Sequence, residues 1–153
     1  MSSASPAPVQ LPRTWRPFGV RLAGSVLGVG LLVVCALAWI GFDEETQARF
    51  TTFQRLTLFV VGLLAFLLWF ALVRSRVVAE DQRLVVVNGY RRREYAWPQV
   101  LAVHLPPGAP WVTLDLADGT TVAAMGIQGS DGSRAKQAVR ELRSVIDRQT
   151  QSG

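Results

Sequence analysis

Hydrophobic and polar positions follow two different rules along this chain. Up to residue 73 the apolar residues come in blocks with no polar face; beyond it they come in short runs broken by turn signals. Residues 22–42 hold twenty-one positions without a charge, and residues 56–73 hold eighteen. At about 1.5 Å of rise per helical residue, either block spans a hydrocarbon core of about 30 Å. A helix buried in a soluble bundle keeps a polar stripe, and these blocks keep none. The pattern therefore predicts a transmembrane helical hairpin over 18–73, with spans at about 22–42 and 56–73. A cleaved signal peptide fits the first block poorly, because its apolar run is too long and a second span follows. Trp15, Phe18, Trp39, Phe42 and Trp69 lie toward the span ends, where aromatic rings anchor at the membrane interface.

From residue 74 the apolar runs are of strand length. Strands are predicted at 76–79, 84–87, 92–97, 100–105, 111–116 and 120–125. The run Pro106-Pro107-Gly108-Ala109-Pro110 lacks the donors a ladder strand needs and reads as a loop. Around Asp118-Gly119 a three-residue loop, with Gly119 left-handed, sets Leu114 opposite Val122 and Val112 opposite Ala124, which gathers the apolar residues on one face. The chain closes on an amphipathic helix over 133–149, where Ala135, Ala138, Val139, Leu142, Val145 and Ile146 recur at three- and four-residue spacing. Ser130, Asp131 and Ser133 offer N-cap oxygens before it. The fold class is α+β: a two-helix transmembrane hairpin, then a small antiparallel β-barrel or sandwich over 74–150, capped by the C-terminal helix. Residues 1–17, rich in Ser, Ala and Pro, have little to bury and are expected to be a disordered tail.

Charge adds an orientation. Arg13, Arg16 and Arg21 precede the first span and Arg74 and Arg76 follow the second, while Asp43, Glu44 and Glu45 offset Arg49 and Arg55 in the connector. Basic residues stay on the cytoplasmic side, so both termini are expected there, in the cell membrane. Of the 16 basic residues only Lys136 is lysine, a bias compatible with a GC-rich bacterial genome. One cysteine, Cys35, permits no intrachain disulfide, and one histidine, His104, builds no Cys/His metal cluster. No cofactor is expected.

The order Val77-Val78-Ala79, Leu84…Val86…Asn88-Gly89, Arg91-Arg92-Arg93, Trp97-Pro98-Gln99-Val100, Pro110-Trp111, Leu116-Ala117-Asp118-Gly119 and Ile127-Gln128-Gly129-Ser130-Asp131, leading into Ala138-Val139-Arg140-Glu141-Leu142-Arg143, resembles a family of bacterial PH-like domains. That family occurs in small actinobacterial membrane proteins with two N-terminal spans, some titled "low molecular weight protein antigen". The resemblance covers 74–148. It implies a PH-like fold and a membrane setting, and brings no established activity, ligand or catalytic residue.

The candidate chemistry is one of recognition. Asn88-Gly89 predicts a hairpin turn, but a simple two-residue turn there would place Arg91 and Arg93 opposite Val86 and Leu84 and bury their charge. A longer loop, or a bulge within 91–94, is expected instead. Either leaves at least two of Arg91, Arg92 and Arg93 in solvent, where they suit anionic lipid head groups or pair with Glu94 to keep a strand edge soluble. Gly24 and Gly28 form a small-xxx-small pair that packs the first span on the second or brings two copies of the chain together. No motif surrounds a nucleophile, and Asp131 opposes an anion at the helix start after the glycine-rich 126–132, so no enzyme is expected. Three arginines with Tyr90 and Tyr95 make too small a patch for nucleic acid. The expected role is a cytoplasmic, non-catalytic binding module for an unknown protein partner, assisted by anionic lipid. The alternative is an accessory or structural subunit of a larger membrane complex, assembled through the hairpin.

Overall fold

The computed structural model describes residues 9–151. They form two units: Phe18–Val73, and a second that joins the described residues up to Pro17 to those from Arg74 onward.

The first unit is helical. Helices α1 (Gly19–Gly41) and α3 (Thr52–Arg74) are each 23 residues long and apolar enough to cross a membrane. No residue of either is buried within the protein. Leucines, valines and phenylalanines stand exposed on every side, as at Leu27, Ile40, Phe59 and Leu68. Such a surface is at its lowest free energy against lipid, since water charges roughly 25 cal/mol for each Å² of apolar area. The connector is ordered by its own hydrogen bonds. Helix α2 (Glu44–Arg49) starts where Asp43 Oδ1 accepts from Thr46 N–H at 2.8 Å. The Gln47 amide donates to the carbonyls of Trp39 and Phe42. Thr51 and Gln54 cap the start of α3 reciprocally. The Phe50 ring packs on those of Trp39 and Phe42, and the Arg55 guanidinium lies 5.4 Å from the Trp39 ring centre.

The second unit is a seven-stranded module. One antiparallel sheet has the order β1-β2-β3-β4 (Arg13–Trp15, Arg76–Ala79, Arg83–Asn88, Arg91–Ala96). The other is β5-β6-β7 (Val100–His104, Trp111–Leu116, Thr121–Gln128), and helix α4 (Ser133–Gln151) follows. One core joins them: Val77, Leu84 and Val86 from the first sheet, Val103, Val112 and Leu114 from the second, and Leu142, Val145 and Ile146 from α4. All six apolar positions read from the periodicity of α4 are buried. The loop at Ala117-Asp118-Gly119 has the expected register, Leu114 opposite Val122 and Val112 opposite Ala124, with Gly119 at φ +82°.

Strand β1 corrects the reading of the N-terminal segment. Residues 1–8 of the expected tail lie outside the described residues, but Arg13, Thr14 and Trp15 pair with Ala79, Val78 and Val77 of β2. Trp15 is therefore no interfacial anchor. It is buried in the module core, and its indole N–H donates to Glu141 Oε2 on α4 at 3.0 Å. Arg13 pairs with the same carboxylate at 3.1 Å. Burying one large indole and satisfying its N–H is enough to order a short strand that composition alone leaves polar.

The sheets also meet across β2 and β7. A Cβ on Gly126 would lie 2.5 Å from the Arg76 backbone, so only glycine lets β7 cross β2 there.

Candidate functional site

Three consecutive arginines on β4 begin the site. The β3–β4 turn is a two-residue one, displaced by one position from that expected. Asn88 faces Arg91 across the ladder, so Gly89 and Tyr90 form the turn, with Gly89 at φ +60°. Pairing runs unbroken from Asn88–Arg91 to Arg83–Ala96, with Val86 opposite Arg93 and Leu84 opposite Tyr95. The bulge or longer loop expected within 91–94 is absent. The cost that argued for it does not arise, because β4 is the outer strand of its sheet and Arg91, Arg92 and Arg93 all stay exposed while Leu84 and Val86 are buried.

Two side chains hold the turn. Gly89 N–H donates to Ser75 Oγ at 2.9 Å, and Ser75, itself buried, is the residue after the last of α3. Asn88 spans the two sheets: its amide donates to the Ala123 carbonyl and its Oδ1 accepts from Met125 N–H at 2.9 Å. The sequence reading spends Asn88 on the turn and does not find this clamp or Ser75. No local signal separates an asparagine that turns the chain from one that bridges strands.

The three arginines divide. Arg92 pairs with Glu94 at 2.6 Å, Glu94 also holds Arg83 at 2.7 Å, and Arg83 holds Glu80 at 2.6 Å. Glu80's hydrogen bond, then its charge and that of Glu94, push the Arg83 pKa up. Arg91 and Arg93 share the other face of β4 and make no side-chain hydrogen bond or ion pair with any described residue. The hairpin therefore presents two uncommitted guanidinium groups beside the exposed ring of Tyr90.

The other candidate positions are separate from this hairpin. A Cβ on Gly24 would fall 2.6 Å from the Trp69 ring, so Gly24 is where α1 lies against α3. Gly28 has nothing within 4 Å. His104 sits exposed on β5 with its Nε2 2.7 Å from Asp115 Oδ2. Cys35 is exposed on α1. Among the described residues no three His, Cys, Asp or Glu side chains come together in a way that could hold a metal ion.

Residues 74–144 match the protein family described as Bacterial PH domain. The match begins at the end of α3 and leaves β1 outside it. Uncharacterized proteins of Mycobacterium tuberculosis and Mycobacterium bovis are each 27% identical to this chain over 134 residues, covering 88% of it and 85% of the relative. No solved structure matches it.

Proposed function

We propose that the module is a bacterial PH domain, a class that generally binds without catalysing, and that this chain displays it on the cytoplasmic face of the cell membrane. There it recognises a protein partner, and Arg91 and Arg93 contact anionic head groups as it does so. The observation that carries the reading is the bond from Gly89 N–H to Ser75 Oγ. It ties the tip of the basic hairpin to the residue that follows α3 in the chain. Each basic residue near an anionic leaflet contributes about 1 kcal/mol of attraction, fading over a Debye length of about 8–10 Å. Two of them do not recruit a protein from solution, but they orient a domain that the hairpin already holds.

The pairing of β1 with β2 supports a two-span topology. The segment before α1 and the segment after α3 are neighbours in one sheet. A chain that crosses the bilayer between them must cross it twice, with both flanks on one side. The basic residues Arg13, Arg16, Arg74 and Arg76 favour the cytoplasmic side for both flanks.

The test uses the whole chain in nanodiscs of phosphatidylcholine with and without phosphatidylglycerol. Amide exchange in the turn at 88–91 is expected to slow with the anionic lipid, and the Arg91→Ala/Arg93→Ala variant to lose that slowing. Equal exchange in both bilayers removes the lipid contact. A reporter joined after Gly153 and active only outside the cell removes the topology. Crosslinking in native membranes followed by mass spectrometry identifies the partner.

One observation favours the alternative, an accessory subunit assembled through the hairpin. Gly28 and Gly30 leave bare backbone with nothing within 4 Å, room for a helix of another protein or of a second copy. Recovery of crosslinked dimers or a complex that Gly28→Leu abolishes, with the arginine variant unaffected, supports that reading over the first.

A further inference from the structure

A second basic site lies away from the β3–β4 hairpin. A cavity of about 640 Å³ opens between the proline-rich β5–β6 loop and the first half of α4. Leu105, Pro107 and Val139 give it an apolar wall, and Lys136, Arg140 and Arg143 give it charge. The three cations stand at i, i+4 and i+7 on α4. Such positions share one helix face, with steps of about 6 Å and about 4.5 Å along the axis. Among the described residues no carboxylate lines the cavity, and Asp131, close to the start of this helix, is not part of it.

Several cations elsewhere on the module are already paired. Arg13, Arg83 and Arg92 each meet a glutamate. Arg143 is steadied from one side, where its Nη2 donates to the Val103 carbonyl at 3.2 Å. Lys136 and Arg140 make no side-chain hydrogen bond or ion pair with any described residue. Two uncommitted cations and one oriented guanidinium around a single concavity exceed what one carboxylate satisfies. A phosphate monoester, with about −1.5 to −2 charges and three acceptor oxygens, matches them. Its ester carbons would lie against Leu105, Pro107 and Val139.

We infer that this cavity binds a phosphate monoester, carried either by a small soluble molecule or by a lipid head group. This inference is independent of the hairpin arginines. Isotope-labelled full-length protein in phosphatidylcholine nanodiscs tests it, with amide signals of Gly129, Gly132 and Lys136 as reporters. One arm adds sn-glycerol 3-phosphate; the other replaces part of the lipid with phosphatidic acid. Saturable shifts in the first arm support a soluble ligand, and shifts in the second arm alone support a lipid one. In either case Lys136→Ala/Arg140→Ala is expected to weaken binding about tenfold or more, given what hydrogen bonds between charged groups contribute. Both side chains are exposed, so the unchanged spectrum of β3 and β6 checks that the variant folds. Absence of shifts in both arms overturns the inference. So does equal binding by the double variant, or binding lost in Arg91→Ala/Arg93→Ala instead.

Discussion

Helices α3 and α4 have 23 and 19 residues and solve opposite problems. Helix α3 is apolar all round and buries none of its residues in the protein. Helix α4 is polar except for one stripe, and every residue of that stripe is buried. An apolar side chain contributes to folding only when its surroundings change from water to something drier. For α4 that something is the two sheets. For α3 it is lipid, present whether or not the module is folded. Equal substitutions in the two helices should therefore have unequal effects on the module.

The largest effect is expected at Trp15. Trp15→Ala removes a buried indole and leaves Glu141 short of a donor, and large aromatic truncations in cores cost about 3–5 kcal/mol. Chemical denaturation of the module within the full chain, followed by the fluorescence of Trp97 and Trp111, measures it; a midpoint equal to that of the parent would show that β1 is dispensable. Leu142→Ala on α4 comes next, at about 2–5 kcal/mol. Its counterpart Leu64→Ala on α3, exposed in the protein, should leave the module's midpoint within about 0.5 kcal/mol. Similar losses at the two leucines would end the distinction between the helices.

Gly126→Ala should cost about 1–3 kcal/mol, because the new methyl group meets the Arg76 backbone and two strands must part to admit it. The smallest effect is electrostatic. Burial raises the Glu141 pKa, but hydrogen bonds from Trp15 and Gln137 and the charge of Arg13 outweigh it, and the net shift is downward. A carboxylate whose pKa is lower folded than unfolded stabilises fully above the unfolded value, about 4.3. That stabilisation is lost as the pH falls through the lower folded value. Thermal melts should thus drop below about pH 4, and Glu141→Gln should melt lower at pH 7 with a shallower acid limb. An unchanged acid limb in that variant would place the titration elsewhere.

How much of this was legible depended on whether the signal was local. The two apolar blocks, the loop at Asp118-Gly119 and the stripe of α4 each declare themselves within about twenty residues, and each is where the sequence puts it. Strand β1 does not. Arg13, Thr14 and Trp15 sit among prolines and serines, and their partner β2 lies beyond both long helices, so nothing nearby reports the pairing. The register at Asn88 was missed for another reason. A charge set opposite a buried valine looks forbidden until Arg93 is seen on an outer strand, where it reaches water without a bulge. Gly126 carries no message in one dimension, since its purpose is the backbone that crosses it.

The position of β1 ahead of both helices also orders events during synthesis. The ribosome delivers this strand first, then the whole hairpin, and only afterwards the strand it must join. The pairing of β1 with β2 therefore waits until both long helices have been made.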